Sequence, residues 1–319
     1  MSSPMTANSS PGRFRLLTGF MIVILIWSTT PLAVKWSAEG TGFIFGVSAR
    51  MVIGMLVLIV LALIKRVPVP LHKCAIVTYL AAGAGIYGAM LSVYWGSQFI
   101  QSGFIAVLFG LSPVFTGGLA YFVLRERGWT TFKLLGVIFA LAGLVMIFSQ
   151  SIDFGSAAGY GIAAVLFSVF IHSLSAVLVK KLHGQLSSLT VTTGGMLVAT
   201  PTYVITWLLI DGELPSVIPD YALWSIIYLG VIATVIGFNL YFYMLKHLQA
   251  SQVALLTLIT PVTALWIGQF LNNEQIGVNA WFGSGMILVG MGVYQWSHLL
   301  PVAWARNGIK FRNGTNIKE

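Results

Sequence analysis

The second half of this 319-residue chain repeats the first. Setting Tyr94 against Phe242 pairs Gln101 with Gln249, Pro113 with Pro261 and Glu126 with Glu274. After a slip of one residue, Gly136 and Gly143 pair with Gly283 and Gly290. Both copies consist of apolar runs of membrane-crossing length, about 20 residues of helix. If each copy crosses the bilayer an odd number of times, the two copies enter it in opposite orientations. Inverted repeats of that kind are one build of secondary transporters, with the cargo site where the copies meet.

Composition fits a membrane protein. Hydrophobic residues make up 57% of the chain and charged residues 8%, with mean hydropathy +0.90, whereas soluble domains carry about 25% charged residues. The 34 glycines suit membrane helices, where small residues allow close approach. The net charge of +9 sits in short clusters between apolar runs. It therefore reads as membrane topology and not as a nucleic-acid footprint. Cys74 is the single cysteine and cannot form an intrachain disulfide.

Ten membrane-length segments are predicted: 16–37, 42–64, 74–96, 101–123, 131–149, 157–180, 189–210, 221–244, 250–271 and 279–298. The runs are too long for strands and do not alternate. The first extends well beyond a signal-peptide core of about 7–15 residues, so an uncleaved first span is expected. With the N-terminus inside, every cation except Lys35 and Arg50 falls on the inner side. Glu39, Asp153, Asp211, Glu213, Asp220 and Glu274 fall outside. This bias predicts both termini in the cytoplasm. The expected organisation is a disordered tail over 1–15, repeats of five spans at 16–149 and 157–298, and a basic tail over 299–319. The fold class is then an all-α membrane bundle of two inverted five-helix repeats.

Several motifs resemble the drug/metabolite transporter superfamily in its EamA-like branch. Ile26-Trp27-Ser28-Thr29-Thr30-Pro31-Leu32-Ala33-Val34-Lys35 is similar to that family's opening motif. Arg50 stands where an arginine is frequent in its second span. Ser112-Pro113-Val114 to Glu126, then Gly136 and Gly143, resembles its fourth and fifth spans, and Thr260-Pro261-Val262 to Glu274 repeats the pattern. The copies differ, since Arg127 corresponds to Gln275 and span 6 lacks the Trp-Ser-to-Lys motif. The resemblance implies alternating-access movement of small metabolites, with a cavity formed by spans 1–4 and 6–9 and spans 5 and 10 bracing the halves. It also implies a bacterial inner-membrane protein, with exporters of amino acids among its relatives.

Arg50 is the sharpest candidate for a cargo contact. It lies roughly 5 Å along the axis from the middle of span 2, where a charge costs at least about 2.5–3.5 kcal/mol to insert. It either clamps an anionic cargo group or donates to a polar partner in the other half. Trp27, Pro31 and Lys35 are spaced at i, i+4 and i+8, which suggests a cavity wall and hinge on span 1, with Ser28 beside it. Lys35 alternatively snorkels to the outer interface. Ser168, His172 and Ser175 form a polar stripe on span 6, in which His172 either meets cargo or a proton or bonds a neighbouring helix. Tyr87 and Tyr94 on span 3, and Asn239 on span 8, which shares a helical face with Tyr228 and Phe242 at i, i+11 and i+14, are further cavity candidates, although Tyr94 also reads as an interfacial anchor. Pro113 and Pro261 join Pro31 as expected hinges, with helix bending as the plainer role. No metal-ligand spacing or cofactor motif occurs, so none is expected.

These features favour a secondary transporter for a small organic metabolite, an amino acid or related acid first. A facilitator or exchanger of a sugar, nucleoside, amine or drug is the alternative. An intramembrane enzyme or channel is disfavoured, because the chain has no HExxH and no intramembrane aspartate pair. The expected partners are a small-molecule substrate and the lipid bilayer, with the chain a monomer or homodimer.

Overall fold

The computed structural model describes residues 13–126, 130–149, 157–182, 186–254, 256–272 and 277–296. Among these residues it is wholly helical. The first repeat contains α1 (Arg13–Ala38), α2 (Phe43–Ile64), α3 (Lys73–Gly96), α4 (Ser102–Phe109), α5 (Ser112–Leu124) and α6 (Thr131–Ser149). The second contains α7 (Ala158–Leu182), α8 (Ser188–Ile210), α9 (Asp220–Tyr228), a π segment (Leu229–Gly237), α10 (Phe238–His247), α11 (Ala250–Val253), α12 (Leu256–Asn272) and α13 (Val278–Trp296). Each of the ten expected segments carries helix. Among the described residues, 7 helical stretches are long and apolar enough to cross a membrane. Thr131–Gly143 and Val278–Tyr294 are shorter apolar helices. Residues 1–12, Arg127, Glu274 and the expected tail over 299–319 lie outside the described residues. Helix α1 starts at Arg13, three residues before the expected span.

Helices dominate because backbone groups in hydrocarbon must be satisfied within the segment. Large apolar side chains such as Leu63, Phe122 and Leu209 are exposed on the outside, whereas Ser48, Arg50, Ser168 and Thr234 are buried. Apolar side chains facing outward with polar ones kept inside suit lipid surroundings.

Three expected spans are interrupted, and proline accounts for part of this. Helix α4 ends at Phe109, and Pro113 lies in the first turn of α5. Pro113 has no N–H for the Phe109 carbonyl four residues back. The Ser112 hydroxyl donates to that carbonyl instead, at 2.6 Å. The second repeat uses the same remedy: Thr260 precedes Pro261, and its hydroxyl donates to the Thr257 carbonyl at 3.0 Å. Pro31 lies within an unbroken α1, and Pro261 likewise lies within α12.

The two repeats touch through glycine. Ideal Cβ atoms built on Gly143 and Gly290 would each lie 2.5 Å from a carbonyl oxygen, of Gly283 and Gly136 respectively. Helices α6 and α13 are therefore antiparallel and in near backbone contact. Sequence equivalence pairs Gly136 with Gly283 and Gly143 with Gly290, but the contacts are crossed, Gly136 with Gly290 and Gly143 with Gly283. Crossed contacts between equivalent elements are the signature of a two-fold relation. In the interior, Gly54 of α2 faces Gly230 of the π segment and Gly83 of α3 faces Gly195 of α8 in the same manner.

Gly143→Ala forces a methyl group against backbone and is expected to destabilise by about 1–3 kcal/mol. Gly285→Ala, where an added Cβ meets nothing within 4 Å, should be neutral or slightly stabilising. Melting temperatures of the purified variants in detergent check the contrast.

Candidate functional site

Where the repeats meet, the helices line a cavity. Trp27, Thr30, Pro31 and Val34 of α1 form one wall. Arg50 of α2, Met90 of α3 and Phe109 of α4 continue it within the first repeat. The second repeat contributes His172 of α7, Phe238 of α10, and Thr257 and Thr260 of α12. No carboxylate is among the lining residues. The lining draws on expected spans 1–4, 6, 8 and 9.

Arg50 is the charge in this lining, and only 2% of its surface is exposed. Its Nε donates to Thr234 Oγ1 at 3.0 Å, and Nη1 approaches Met90 Sδ at 3.9 Å. A guanidinium has five N–H donors, and sulfur is a weak acceptor. The group is thus tethered at one corner across the boundary between the repeats. Thr234 lies in the π segment, and π turns are frequent at functional sites.

His172 sits within a group of rings. Its ring centroid lies 5.1 Å from Tyr241, 5.9 Å from Trp27 and 6.3 Å from Phe109. Trp27 and Tyr241 are themselves 5.3 Å apart. A second, smaller void shares Met90, His172 and Phe238 with the main cavity and adds Gly85, Ser175, Tyr241 and Phe242. These shared side chains form a layer between the two spaces.

Trp27, Pro31, Arg50 and His172 are therefore brought together around one cavity, and the other expected residues lie elsewhere. Ser28 accepts from Thr263 at 2.5 Å and donates to the Ile24 carbonyl at 2.7 Å, which ties α1 to α12. Lys35 is not in the lining. At 100° per residue, i+8 is about 80° from Trp27 around the helix, whereas Val34 at i+7 is about 20° away. Tyr87 bonds Thr206 at 2.7 Å and packs on Tyr203, with ring centroids 4.9 Å apart. Tyr94 is fully buried and accepts from Ser37 at 3.2 Å, so it is no interfacial anchor. Asn239 is partly buried, and its Oδ1 is a buried acceptor that has no partner among the described residues. The π segment explains this placement. Asn239 follows Tyr228 by eleven residues, a spacing that returns to one face only in an unbroken α-helix, and nine residues of π geometry lie between them; Phe238, not Asn239, lines the cavity. Pro113 lies one turn beyond the cavity-lining Phe109, and Pro261 lies in α12 next to the cavity-lining Thr260. Ser168 and Ser175 donate to the Ala89 and Ala81 carbonyls at 2.7 and 2.9 Å and so fasten α7 to α3.

The sequence reading missed Thr234, Thr30, Thr257, Phe109, Phe238 and Met90 as site residues. The duplicated Ser/Thr-Pro pairs point toward Phe109 and Thr257, whose carbonyls they free. Nothing in the local pattern around Thr234 announces a π segment.

Two inverted halves around a buried, cationic cavity define a multi-pass membrane transporter. The pattern of the EamA-like transporter family matches residues 16–149 and 159–294, and the chain belongs to that family. It is 25% identical over 283 residues to the uncharacterized transporter YoaV of Bacillus subtilis (strain 168), covering 87% of this chain and 95% of that one. It is likewise 25% identical over 283 residues to the S-adenosylmethionine/S-adenosylhomocysteine transporter of Chlamydia muridarum, covering 83% and 86%. A solved crystal structure superposes with TM-score 0.70 at 18% identity over 91% of this chain and 100% of that chain, which supports the fold.

Among the described residues no carboxylate compensates Arg50, so removing its charge should cost the fold little. Breaking a buried ion pair costs about 3–5 kcal/mol. Arg50→Met is expected to stay within about 1 kcal/mol of wild type, since it loses one hydrogen bond and gains apolar packing. Thermal unfolding without ligand measures the difference.

Proposed function

We propose that the protein is a secondary transporter that moves a small carboxylate-bearing metabolite, an amino acid in the first place, by alternating access. The observation that carries this reading is Arg50, a buried guanidinium in the cavity wall with no carboxylate beside it among the described residues. An arriving carboxylate forms charge-assisted, bidentate hydrogen bonds to such a group and compensates its charge at the same time. The Trp27, Phe109 and Phe238 rings offer apolar surface for the rest of the cargo. The Trp27 carbonyl, which Pro31 deprives of its helical donor, offers an acceptor for an ammonium group.

The ring layer supports alternating access, because separating His172, Trp27 and Tyr241 would join the two voids. Beyond the second void, Lys180 donates to the Leu245 and Leu248 carbonyls at 2.9 and 2.6 Å, and Lys246 donates to the Leu186 carbonyl at 2.9 Å. These bonds bind the end of α10 to the end of α7 and to the segment that enters α8. By the cation bias of the loops, we take that end as the cytoplasmic side of a bacterial inner membrane.

Exchange of one metabolite for another is the second reading. The pair of closely related metabolites in the Chlamydia relative's name favours it. Both of those metabolites end in an amino-acid carboxylate, so the same clamp serves either reading.

A thermal-shift screen of the purified protein against amino acids, organic acids, amines and nucleosides tests the cargo class. A ligand at 100 times its Kd stabilises by about 2.7 kcal/mol. Carboxylated compounds should raise the melting temperature of wild type but not of Arg50→Gln. Shifts by neutral or cationic compounds alone would refute the carboxylate reading.

A further inference from the structure

Arg50 can act as a carboxylate clamp only if its free N–H groups face the cavity. We propose that Thr234 is the positioning residue that aims them, and that the π segment places Thr234 where it can do so. The inference rests on the carboxylate reading above and adds the residue that makes Arg50 selective.

The donors of the guanidinium divide into one that is held and a pair that is free to bind. Nε is committed to Thr234 Oγ1 at 3.0 Å. A bond to Nε fixes the plane of the guanidinium and its rotation about the long side-chain axis. The terminal Nη1 and Nη2 pair is then left for a carboxylate, a parallel two-bond arrangement that needs the plane held. Met90 Sδ, 3.9 Å from Nη1, is an acceptor that a carboxylate oxygen easily displaces. Without the tether, a guanidinium on its flexible stem is not held in one plane and can bind a carboxylate through one bond only.

Thr234 reaches Arg50 because of the local helix geometry. Residues 229–237 form a π segment between α9 and α10. Bonding from i to i+5 adds one residue to the turn, which rotates the later residues by about 100° relative to an α-helix. Thr234 is fully buried. Its Cγ2 lies against Gly54, 2.9 Å from the place where an ideal Cβ would stand, and the Gly230 carbonyl oxygen lies 3.0 Å from the same place. The threonine methyl thus packs on α2 while its hydroxyl meets the arginine four residues earlier on that helix. Both groups on Cβ are used, and they have different tasks.

That division permits a selective test. Thr234→Val keeps the packed methyl and removes only the hydroxyl. Thr234→Ser keeps the hydroxyl and removes the methyl. The probes are the proteinogenic L-amino acids that shift the melting temperature of wild type, each compared with its own carboxamide, which preserves shape and removes the negative charge. The readout is the ratio of the two dissociation constants, with ligand-free melting temperature as the control for folding.

Wild type should prefer the carboxylate. Thr234→Val should lose about tenfold of that preference, as one charge-assisted bond of two is lost, and Thr234→Ser should retain it. Thr234→Ala supplies the same reading if valine is not accommodated. Full preference in both Thr234→Val and Thr234→Ala overturns the positioning role while leaving the carboxylate reading intact. Equal loss in Thr234→Ser also overturns it, because the packed methyl and not the hydroxyl would then matter. A wild type that binds amino acids and carboxamides equally, or binds neither, overturns the carboxylate reading and this inference with it.

Discussion

Two membrane helices can lie backbone to backbone only where both lack side chains at the crossing. That constraint is met at Gly136 with Gly290 and Gly143 with Gly283, where the last helix of each repeat meets the other. Helix association in lipid relies on close packing, because the tails compete for the same apolar surface. These contacts therefore join the repeats through geometry that a single methyl group disrupts. The crossed pairing also fixes the antiparallel, two-fold relation on which the central cavity depends. Equivalent helices of the two repeats approach the cavity from opposite sides, so its walls come from both.

The cavity brings unlike groups to one place. The first repeat is interrupted just before Ser112-Pro113, whereas α12 runs through Thr260-Pro261; at both pairs a hydroxyl takes over the carbonyl that proline leaves. Phe109 and Thr257, the residues with those carbonyls, line the cavity. Irregular backbone at membrane depth is tolerated beside such a space. The π segment belongs to the same set of departures, and it carries the threonine that holds Arg50. The most costly side chain in the bilayer is thus set among the least regular stretches of helix. Among the described residues its charge is retained without a carboxylate beside it, as a binding site for an anion requires.

Much of this was legible from the chain. Long apolar runs gave the helices, and the duplicated Pro and Gly positions gave the two repeats, while the contact those glycines make across the repeats was visible only in the structure. Arg50 and His172 stood out because polar groups in apolar helices must face protein or water, and both meet the cavity. Faces extrapolated over long distances fared worse. Lys35 drifts from Trp27 because 3.6 residues per turn accumulates an offset over two turns. Asn239 leaves the face expected from Tyr228 because nine residues of π geometry lie between them. Tyr87 and Tyr94 are occupied by Thr206 and Ser37 on neighbouring helices, and such pairing is set by packing and not by local sequence. Thr234 was invisible for the same reason, since its role depends on a helix register that no motif encodes.

The measurement that bears most directly on the account is counterflow in proteoliposomes. Vesicles loaded with an excess of an unlabelled amino acid are diluted into the same amino acid carrying a radioactive label. The account predicts transient accumulation of label by wild type. It also predicts none by Arg50→Gln and none when the matching carboxamide replaces the amino acid on both sides. Equal accumulation of amino acid and carboxamide, unchanged in Arg50→Gln, would contradict the claim that a carboxylate meets Arg50 between the two inverted halves.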